Sequence, residues 1–315
     1  MEYLFIAAGL LIACVLAVVA AVRTARRPEP PVPAGKLVDY GQFVAVNGIA
    51  VHLWQQGQSH RRAEPVILIP GFAASNWCWR HTMPALSRHR WVVAPDLPGF
   101  GLSDKPEGFD YTLSGYARFI VSLMDAMGIE RAVLVGNSMG GGVAIKTALL
   151  FPDRVGRLVL IDSLGYYKRS FQFYRLVALP IIRGLVMRAA GPRSIKLLLQ
   201  TRVYHDPSRV EEETARRFAA AYRTQNGRKA PIWVYRALAP FPTIPPGEIA
   251  RVQNPTLIIW GRHDRILPAA HAERFGRDIA GARTVIIPDA GHVPHEERPE
   301  VVNRLIIDFI GGTGD

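Results

Sequence analysis

The sequence has few cysteines and carries none of the common signatures of metal or nucleotide binding. Only two cysteines, Cys14 and Cys78, occur among 315 residues, which argues against a framework of disulfide bonds. No Cys/His cluster has the spacing of a zinc site, and neither a P-loop nor a Gly-x-Gly-x-x-Gly motif follows a predicted strand. We therefore expect chemistry that needs no cofactor and no metal ion.

The most informative stretch is residues 131–140, where a β-branched run ends in Gly-x-Ser-x-Gly. Gly136, Ser138 and Gly140 lie between a predicted strand and a predicted helix, Met139 to Leu150. This context is typical of a nucleophile elbow, which holds a serine hydroxyl clear of its own backbone. The bare motif arises by chance in roughly one chain of this length in ten, so the prediction depends on the strand and the helix around it.

A serine hydroxyl becomes a good nucleophile only beside a base that an acid orients. Two later apolar runs end in such residues, Asp264 and His292. Ser138, Asp264 and His292 follow the chain order of a hydrolase triad, each at the carboxyl end of a predicted strand. We predict that they are the nucleophile, the orienting acid and the general base.

Three alternatives to this assignment remain open. Asp162 ends the preceding strand and is the substitute acid, while Asp264 itself is also placed to cap the next helix. His263 stands one position before the proposed acid and is the rival base. We favour His292 because it ends the last strand before the C-terminal helix.

Two further motifs extend the pattern: Ile-Leu-Ile-Pro-Gly-Phe at 67–72 and Asp-Leu-Pro-Gly-Phe-Gly-Leu-Ser-Asp at 96–104. With the elbow and the triad, they make the chain from about residue 40 onward resemble the α/β-hydrolase superfamily. The resemblance implies a mostly parallel eight-stranded sheet flanked by helices, with a helical cap. The Gly-Asn-Ser-Met-Gly-Gly elbow is most similar to those of cap-bearing esterases, monoacylglycerol lipases and carbon–carbon bond hydrolases.

The hydrophobic pattern divides the chain in the same way. A hairpin is predicted to turn at Asn47-Gly48, and six strands, at about 65–70, 91–95, 131–136, 156–162, 256–260 and 283–288, alternate with helical stretches. The interval 166–250 breaks this rhythm and is predicted to be the cap. Residues 41–165 and 251–315 are then the two parts of the hydrolase core.

The first 27 residues are predicted to be a membrane anchor. Residues 3–22 carry no charge and would span about 30 Å as a helix. A signal peptide is the rival, but it would need basic residues before the apolar run, and here they follow it. The positive-inside rule then puts a single-pass protein's catalytic domain on the cytoplasmic face. The proline-rich residues 28–40 are predicted to be an extended spacer.

The cap holds most of the charge imbalance. Residues 166–250 contain 15 Lys/Arg and 5 Asp/Glu, a surplus of +10 out of the net +12 of the chain. Residues 175–188 mix arginines with long aliphatic side chains, as segments beside an anionic leaflet do. We expect lipid contact here, an ordinary solvated cap being the alternative. Nucleic acid is not an expected partner because no reading motif is present.

The triad implies a mechanism in which His292 takes the proton of Ser138 during attack on an ester carbonyl. The backbone N–H of Met139 is a predicted oxyanion donor, and the family resemblance assigns the second donor to Phe72. Trp77 and Trp79 are candidate substrate-binding residues.

The preferred function is that of a membrane-anchored serine hydrolase of lipid-derived carboxylic esters, such as a monoacylglycerol. A carbon–carbon bond hydrolase of vinylogous diketones is the enzymatic alternative, and a hydrolase-fold receptor or scaffold without turnover is the alternative from another class.

Overall fold

The computed structural model describes residues 31–37, 39–166, 191–238, 244–245 and 247–311. Their centre is an eight-stranded sheet in the order β1-β2-β4-β3-β5-β6-β7-β8. The strands are β1 Gln42–Val46, β2 Ile49–Gln56, β3 Val66–Ile69, β4 Val92–Pro95, β5 Ala132–Asn137, β6 Val155–Ile161, β7 Thr256–Gly261 and β8 Arg283–Ile287. Only the β1–β2 and β2–β4 pairs are antiparallel. The predicted mostly parallel sheet is confirmed.

Helices pack on both faces of this sheet. In chain order, the α-helices of the described residues are α1 Met83–Leu86, α2 Leu113–Ala126, α3 Met139–Leu150, α4 Pro192–Leu198, α5 Glu212–Ala221, α6 Ala230–Leu238, α7 Ala270–Asp278, α8 Pro294–Glu297 and α9 Pro299–Gly311. Successive strand residues enter two different apolar clusters, with Ile67 beside α2 and α3 and Leu68 beside α1 and α9. Fully apolar strands such as β3 and β5 are what a sheet covered on both faces requires.

The first hairpin turns where the sequence predicts it. Val46 pairs with Ile49, and the two residues between them have positive φ, 50° at Asn47 and 78° at Gly48. This is the left-handed pair that a tight two-residue hairpin needs, which asparagine and glycine adopt most readily.

Helices α4, α5 and α6 fall inside the interval predicted to be the cap. A separate apolar cluster joins α4 to α5, with Ile195 and Leu199 against Ala215 and Ala219. The segment 175–188, which we expect to contact lipid, lies outside the described residues. The cap boundaries themselves stay a prediction.

The described part of the predicted spacer contacts the rest of the protein, and its role as a spacer stays a prediction. The backbone N–H of Val32 donates to the carbonyl oxygen of Arg223 at 2.8 Å. Asp39 accepts two hydrogen bonds from the guanidinium of Arg217 in α5, at 2.8 and 2.7 Å. Proline content predicted the stiffness of this segment, but the ion pair depends on a cation far away in the sequence.

No helix within the described ranges is long and apolar enough to cross a membrane. The predicted anchor, residues 1–27, lies outside those ranges and remains a prediction.

Candidate active site

Ser138 lies between the end of β5 and the start of α3, at the predicted nucleophile elbow. Its φ and ψ are 55° and −118°, a strained conformation that costs a non-glycine residue about 1–3 kcal/mol. A Cβ on Gly136 would lie 2.3 Å from the carbonyl oxygen of Gly140, and one on Gly140 would lie 2.1 Å from that of Ile69. Close backbone packing therefore requires both glycines of the motif.

His292 contacts Asp264 at the carboxyl edge of the sheet. The Nδ1 of His292 lies 2.7 Å from Oδ2 of Asp264, and Oδ1 of Asp264 accepts the backbone N–H groups of Ile266 and Leu267 at 2.7 and 2.9 Å. Burial opposes ionisation of Asp264, but the imidazole and the N–H donors outweigh it, so its pKa lies below the usual value. An ionised Asp264 fixes the proton of His292 on Nδ1 and leaves Nε2 free to act as a base.

The rival base, His263, occupies a different position. Its ring stacks on His205 with centroids 4.0 Å apart and planes 12° apart. His292 is therefore the histidine that the structure joins to the predicted acid.

Asn137 joins the elbow to the histidine loop. Its Nδ2 donates to the carbonyl oxygen of His292 at 3.1 Å and to that of Ile161 at 3.2 Å. Within the described residues, no hydrogen bond joins Oγ of Ser138 to Nε2 of His292. Such catalytic bonds are often long without substrate and shorten in the reacting complex. The nucleophile turn and the histidine are thus neighbours held by one buried amide.

The predicted oxyanion donors flank Ser138. A Cβ on Gly71 would lie 3.2 Å from Cβ of Ser138, so the backbone of the loop before Phe72 touches the nucleophile. Among the described residues, neither the N–H of Phe72 nor that of Met139 donates to another protein group. Unused amide donors on both sides of a nucleophile are what an oxyanion requires. Their role stays a prediction.

Comparison with known proteins decides the family. Residues 64–299 match the family described as alpha/beta hydrolase fold. The chain belongs to this family. It is a hydrolase fold in which the elbow, the acid and the histidine follow β5, β7 and β8.

The relatives of this α/β-hydrolase carry the names of different enzymatic activities. The 2-hydroxy-6-oxo-2,4-heptadienoate hydrolase of Pseudomonas putida is 30% identical over 288 residues, 86% of this chain and 96% of its own. A meta-cleavage product hydrolase from Pseudomonas fluorescens IP01 is 30% identical with a TM-score of 0.71, covering 86% of this chain and 98% of its own. A crystal structure of a membrane phospholipase A is 28% identical with a TM-score of 0.72, covering 99% of both chains.

The two tryptophans predicted to bind substrate both contact protein groups. Trp79 is fully buried, and its ring centre lies 4.5 Å from that of His295. The guanidinium of Arg217 covers the ring of Trp77 at 4.0 Å. The position of Trp79 in the core does not agree with the expectation that it lines a substrate pocket. Sequence spacing alone does not distinguish an aromatic ring in the core from one that lines a pocket.

Sequence reasoning missed the support of the histidine loop. Glu297 is fully buried and accepts three backbone N–H groups, from Gly291 at 2.6 Å, His205 at 2.8 Å and Asp206 at 3.0 Å. Burial raises the pKa of Glu297, and the N–H donors offset part of that effect. One carboxyl group thereby connects the residue before His292 to His205 and Asp206, in the interval predicted to be the cap. The only sequence feature that pointed to this contact was an acidic residue, Glu297, five positions after the predicted base.

A cluster of acidic and imidazole groups underlies the site. One potential ligand atom each from Asp162, Asp264 and His292 lies within 4.8 Å of the others. Both oxygens of Asp264 and the Nδ1 of His292 already make hydrogen bonds within the protein. The cluster is therefore best described as a hydrogen-bonded set. The expectations of no metal and no cofactor stay predictions.

Proposed function

We propose that this α/β-hydrolase is a serine hydrolase that forms an acyl-enzyme on Ser138. The observation that carries the proposal is the His292–Asp264 pair, joined by Asn137 to the strained turn that presents the serine. In this mechanism Nε2 of His292 removes the hydroxyl proton as Oγ attacks a carbonyl carbon. The same proton then passes to the leaving group, and water releases the acyl group.

We further propose that the substrate is a carboxylic ester of a lipid, such as a monoacylglycerol. The support is the similarity to a membrane phospholipase A, which extends over 99% of both chains. The meta-cleavage hydrolases, by contrast, match 86% of this chain. A substrate dissolved in a bilayer gives a reason for the apolar run at residues 3–22.

The cap contributes a second argument for lipid. Leu197 and Leu198 at the end of α4 are 60% and 56% exposed, more than the other large apolar side chains among the described residues. Exposed Arg193 and Arg202 lie four positions from them on either side. Paired leucines between cations match the interface of an anionic leaflet. We propose that anchor and cap both contact the membrane, with the catalytic domain on its cytoplasmic face.

A second substrate class has its own support. The curated relatives with a named reaction include 2-hydroxymuconate semialdehyde hydrolase of a Pseudomonas strain, 30% identical over 288 residues. These names match carbon–carbon bond hydrolysis of a vinylogous diketone better than ester hydrolysis. Both reactions need attack on a carbonyl and an oxyanion site, so the triad alone does not separate them.

Labelling and a substrate panel test these proposals together. A fluorophosphonate should label the wild type and Ser122→Ala, a surface control, but not Ser138→Ala. Monoacylglycerols and p-nitrophenyl esters should be hydrolysed, and Ser138→Ala should abolish that turnover. Faster cleavage of a 2-hydroxy-6-oxo-hexa-2,4-dienoate would favour the carbon–carbon reaction. Absence of labelling and of any turnover would instead favour a receptor or scaffold.

A truncation tests the anchor. Removing residues 1–27 should yield an active enzyme that an alkaline salt wash releases from membranes, because the contact of the cap with lipid is then only peripheral. Retention of the truncated protein on membranes after that wash would mean that the cap itself inserts into the bilayer.

A further inference from the structure

Asp162 follows β6 and lies beside the predicted acid of the triad. Its side chain has no exposed surface, and its φ is 43°, a left-handed value that is uncommon outside glycine. The backbone N–H of Asp162 donates to the carbonyl oxygen of Ile259 at 3.0 Å, and its Oδ1 accepts the N–H of Gly261 at 3.0 Å. Strand ends on both sides therefore fix the position of this carboxyl group.

The second oxygen of Asp162 has no N–H or O–H donor among the described residues. The titratable groups around it are Asp264 from the loop after β7, His292 from the loop after β8, and Glu297 from α8. Two of these three are acids. A negative charge on Asp162 would be buried beside the carboxylate of Asp264 with one N–H donor to stabilise it, which is a costly arrangement.

Asp264 has room for one more donor. A carboxylate offers about four lone-pair sites. Three are filled, by the N–H groups of Ile266 and Leu267 on Oδ1 and by the imidazole of His292 on Oδ2. A proton on Oδ2 of Asp162 would fill the fourth.

We propose that Asp162 is a neutral carboxylic acid whose O–H donates to the carboxylate of Asp264, and that it acts as a positioning residue for the Asp264–His292 pair. The proposal rests on the catalytic roles proposed above. Burial and the neighbouring Asp264 raise the pKa of Asp162 well above its usual value, in agreement with a bound proton. Donation from Asp162 also contributes to the lowered pKa of Asp264.

The proposal assigns the two carboxyl groups different states. With Asp264 ionised, Asp162 neutral and His292 neutral, the cluster carries one negative charge, and a proton taken from Ser138 makes it neutral. The hydrogen bond from Asp162 also resists rotation of the Asp264 carboxylate, because both of its oxygens are then held on more than one side. Misplacement of a catalytic group by about 1 Å costs on the order of 10²-fold in rate.

Substitutions that keep or remove the donor test this role in the full-length protein. Asn at 162 keeps an acceptor for Gly261 and supplies an N–H donor without a titrating proton. Asp162→Ala should lower kcat/KM on a soluble p-nitrophenyl ester by about 10- to 100-fold, and Asp162→Asn should recover most of that loss. Asp289→Asn is the matched control, because its side chain is 68% exposed and pairs with Arg298.

The pH profile separates a neutral acid from an ionised one. The acid limb of kcat/KM reports protonation of His292 in the free enzyme. If Asp162 is neutral, Asp162→Asn leaves that limb in place. If Asp162 is ionised, the substitution removes a negative charge near the imidazole and moves the limb to lower pH by about one unit. Such a shift, or full activity in Asp162→Ala, would overturn the proposal.

Infrared spectroscopy tests the protonation state without catalysis. The C=O stretch of a protonated carboxyl group should appear at neutral pH in the wild type and in Ser138→Ala, and it should be missing from Asp162→Asn. Its absence from the wild type would refute the neutral acid. The band reports the protonation state of Asp162, whereas activity reports the role of Ser138. A variant Ser138→Ala that has lost activity but keeps the band therefore shows that the two proposals can be tested separately.

Discussion

Asn137 and His292 are 155 positions apart, yet the amide Nδ2 of Asn137 donates to the carbonyl oxygen of His292 at 3.1 Å. The same amide donates to Ile161 at the end of β6. Because Asn137 directly precedes Ser138, a shift of the histidine loop is transmitted to the nucleophile turn. The residue before the predicted nucleophile therefore connects its turn to the loop that carries the predicted base.

Replacing Asn137 with leucine should impair both stability and catalysis. Two buried carbonyl groups lose their donor, which should lower the free energy of unfolding by about 1–3 kcal/mol. Loss of the connection should lower kcat/KM by about 10- to 100-fold. Asn303→Leu is the control, since Asn303 makes the same kind of bond to His81 in another part of the protein, at 2.8 Å. It should lose stability but keep activity; equal activity in both variants would contradict the role of Asn137.

The sheet and the order of the triad follow from local patterns. β3, β5 and β7 are short apolar runs bounded by turn residues. Ser138 follows β5, Asp264 follows β7, and His292 follows the last strand, β8. Strand ends in a parallel sheet meet at one edge, so the convergence of these residues is predictable.

The supporting contacts are not predictable in this way. Glu297 holds a backbone loop of the cap, and Asp39 meets an arginine 178 positions away. Both contacts join residues that are far apart in the sequence, and no periodicity in the sequence encodes them. The burial of Trp79 in the core is not predictable for a related reason, since a ring's surroundings depend on tertiary packing.

Arg217 connects the N-terminal segment, the cap and the core. Its guanidinium binds Asp39, lies 4.0 Å above the ring of Trp77 and 4.8 Å from the ring centre of Tyr40. We expect Arg217→Ala to lower the free energy of unfolding by about 1–3 kcal/mol, mostly through the ring contacts because Asp39 is exposed. Arg216→Ala, an exposed neighbour, is the control. Urea denaturation measures both, and equal stability would mean that these contacts contribute nothing.

Arg80 forms a buried ion pair with Glu296, whose Oε2 also accepts the hydroxyl of Tyr204 at 2.9 Å. Burial disfavours the charge of Arg80, but Glu296 outweighs it and raises its pKa. Arg80→Met leaves a carboxylate buried without its cation, and should lower the free energy of unfolding by about 3–5 kcal/mol.

The double variant Arg80→Met with Glu296→Gln tests the reason for that loss. It removes the unpaired charge, so it should be more stable than Arg80→Met alone. Chemical denaturation of both single variants and the double variant gives the coupling energy. A double variant as unstable as the sum of the two single variants would show that the pair is not coupled.

The exposed leucines of α4 give a direct test of lipid contact by the cap. Without residues 1–30, the enzyme should still bind phosphatidylglycerol vesicles. The double variant Leu197→Ser with Leu198→Ser should weaken that binding about tenfold or more, because each position loses about 1 kcal/mol of apolar burial. Leu150→Ser is the control, because Leu150 is 43% exposed but lies at the end of α3. Added salt should also weaken binding, since Arg193 and Arg202 would face anionic headgroups. Vesicle sedimentation measures each effect, and unchanged binding of the double leucine variant would exclude this surface as the lipid contact.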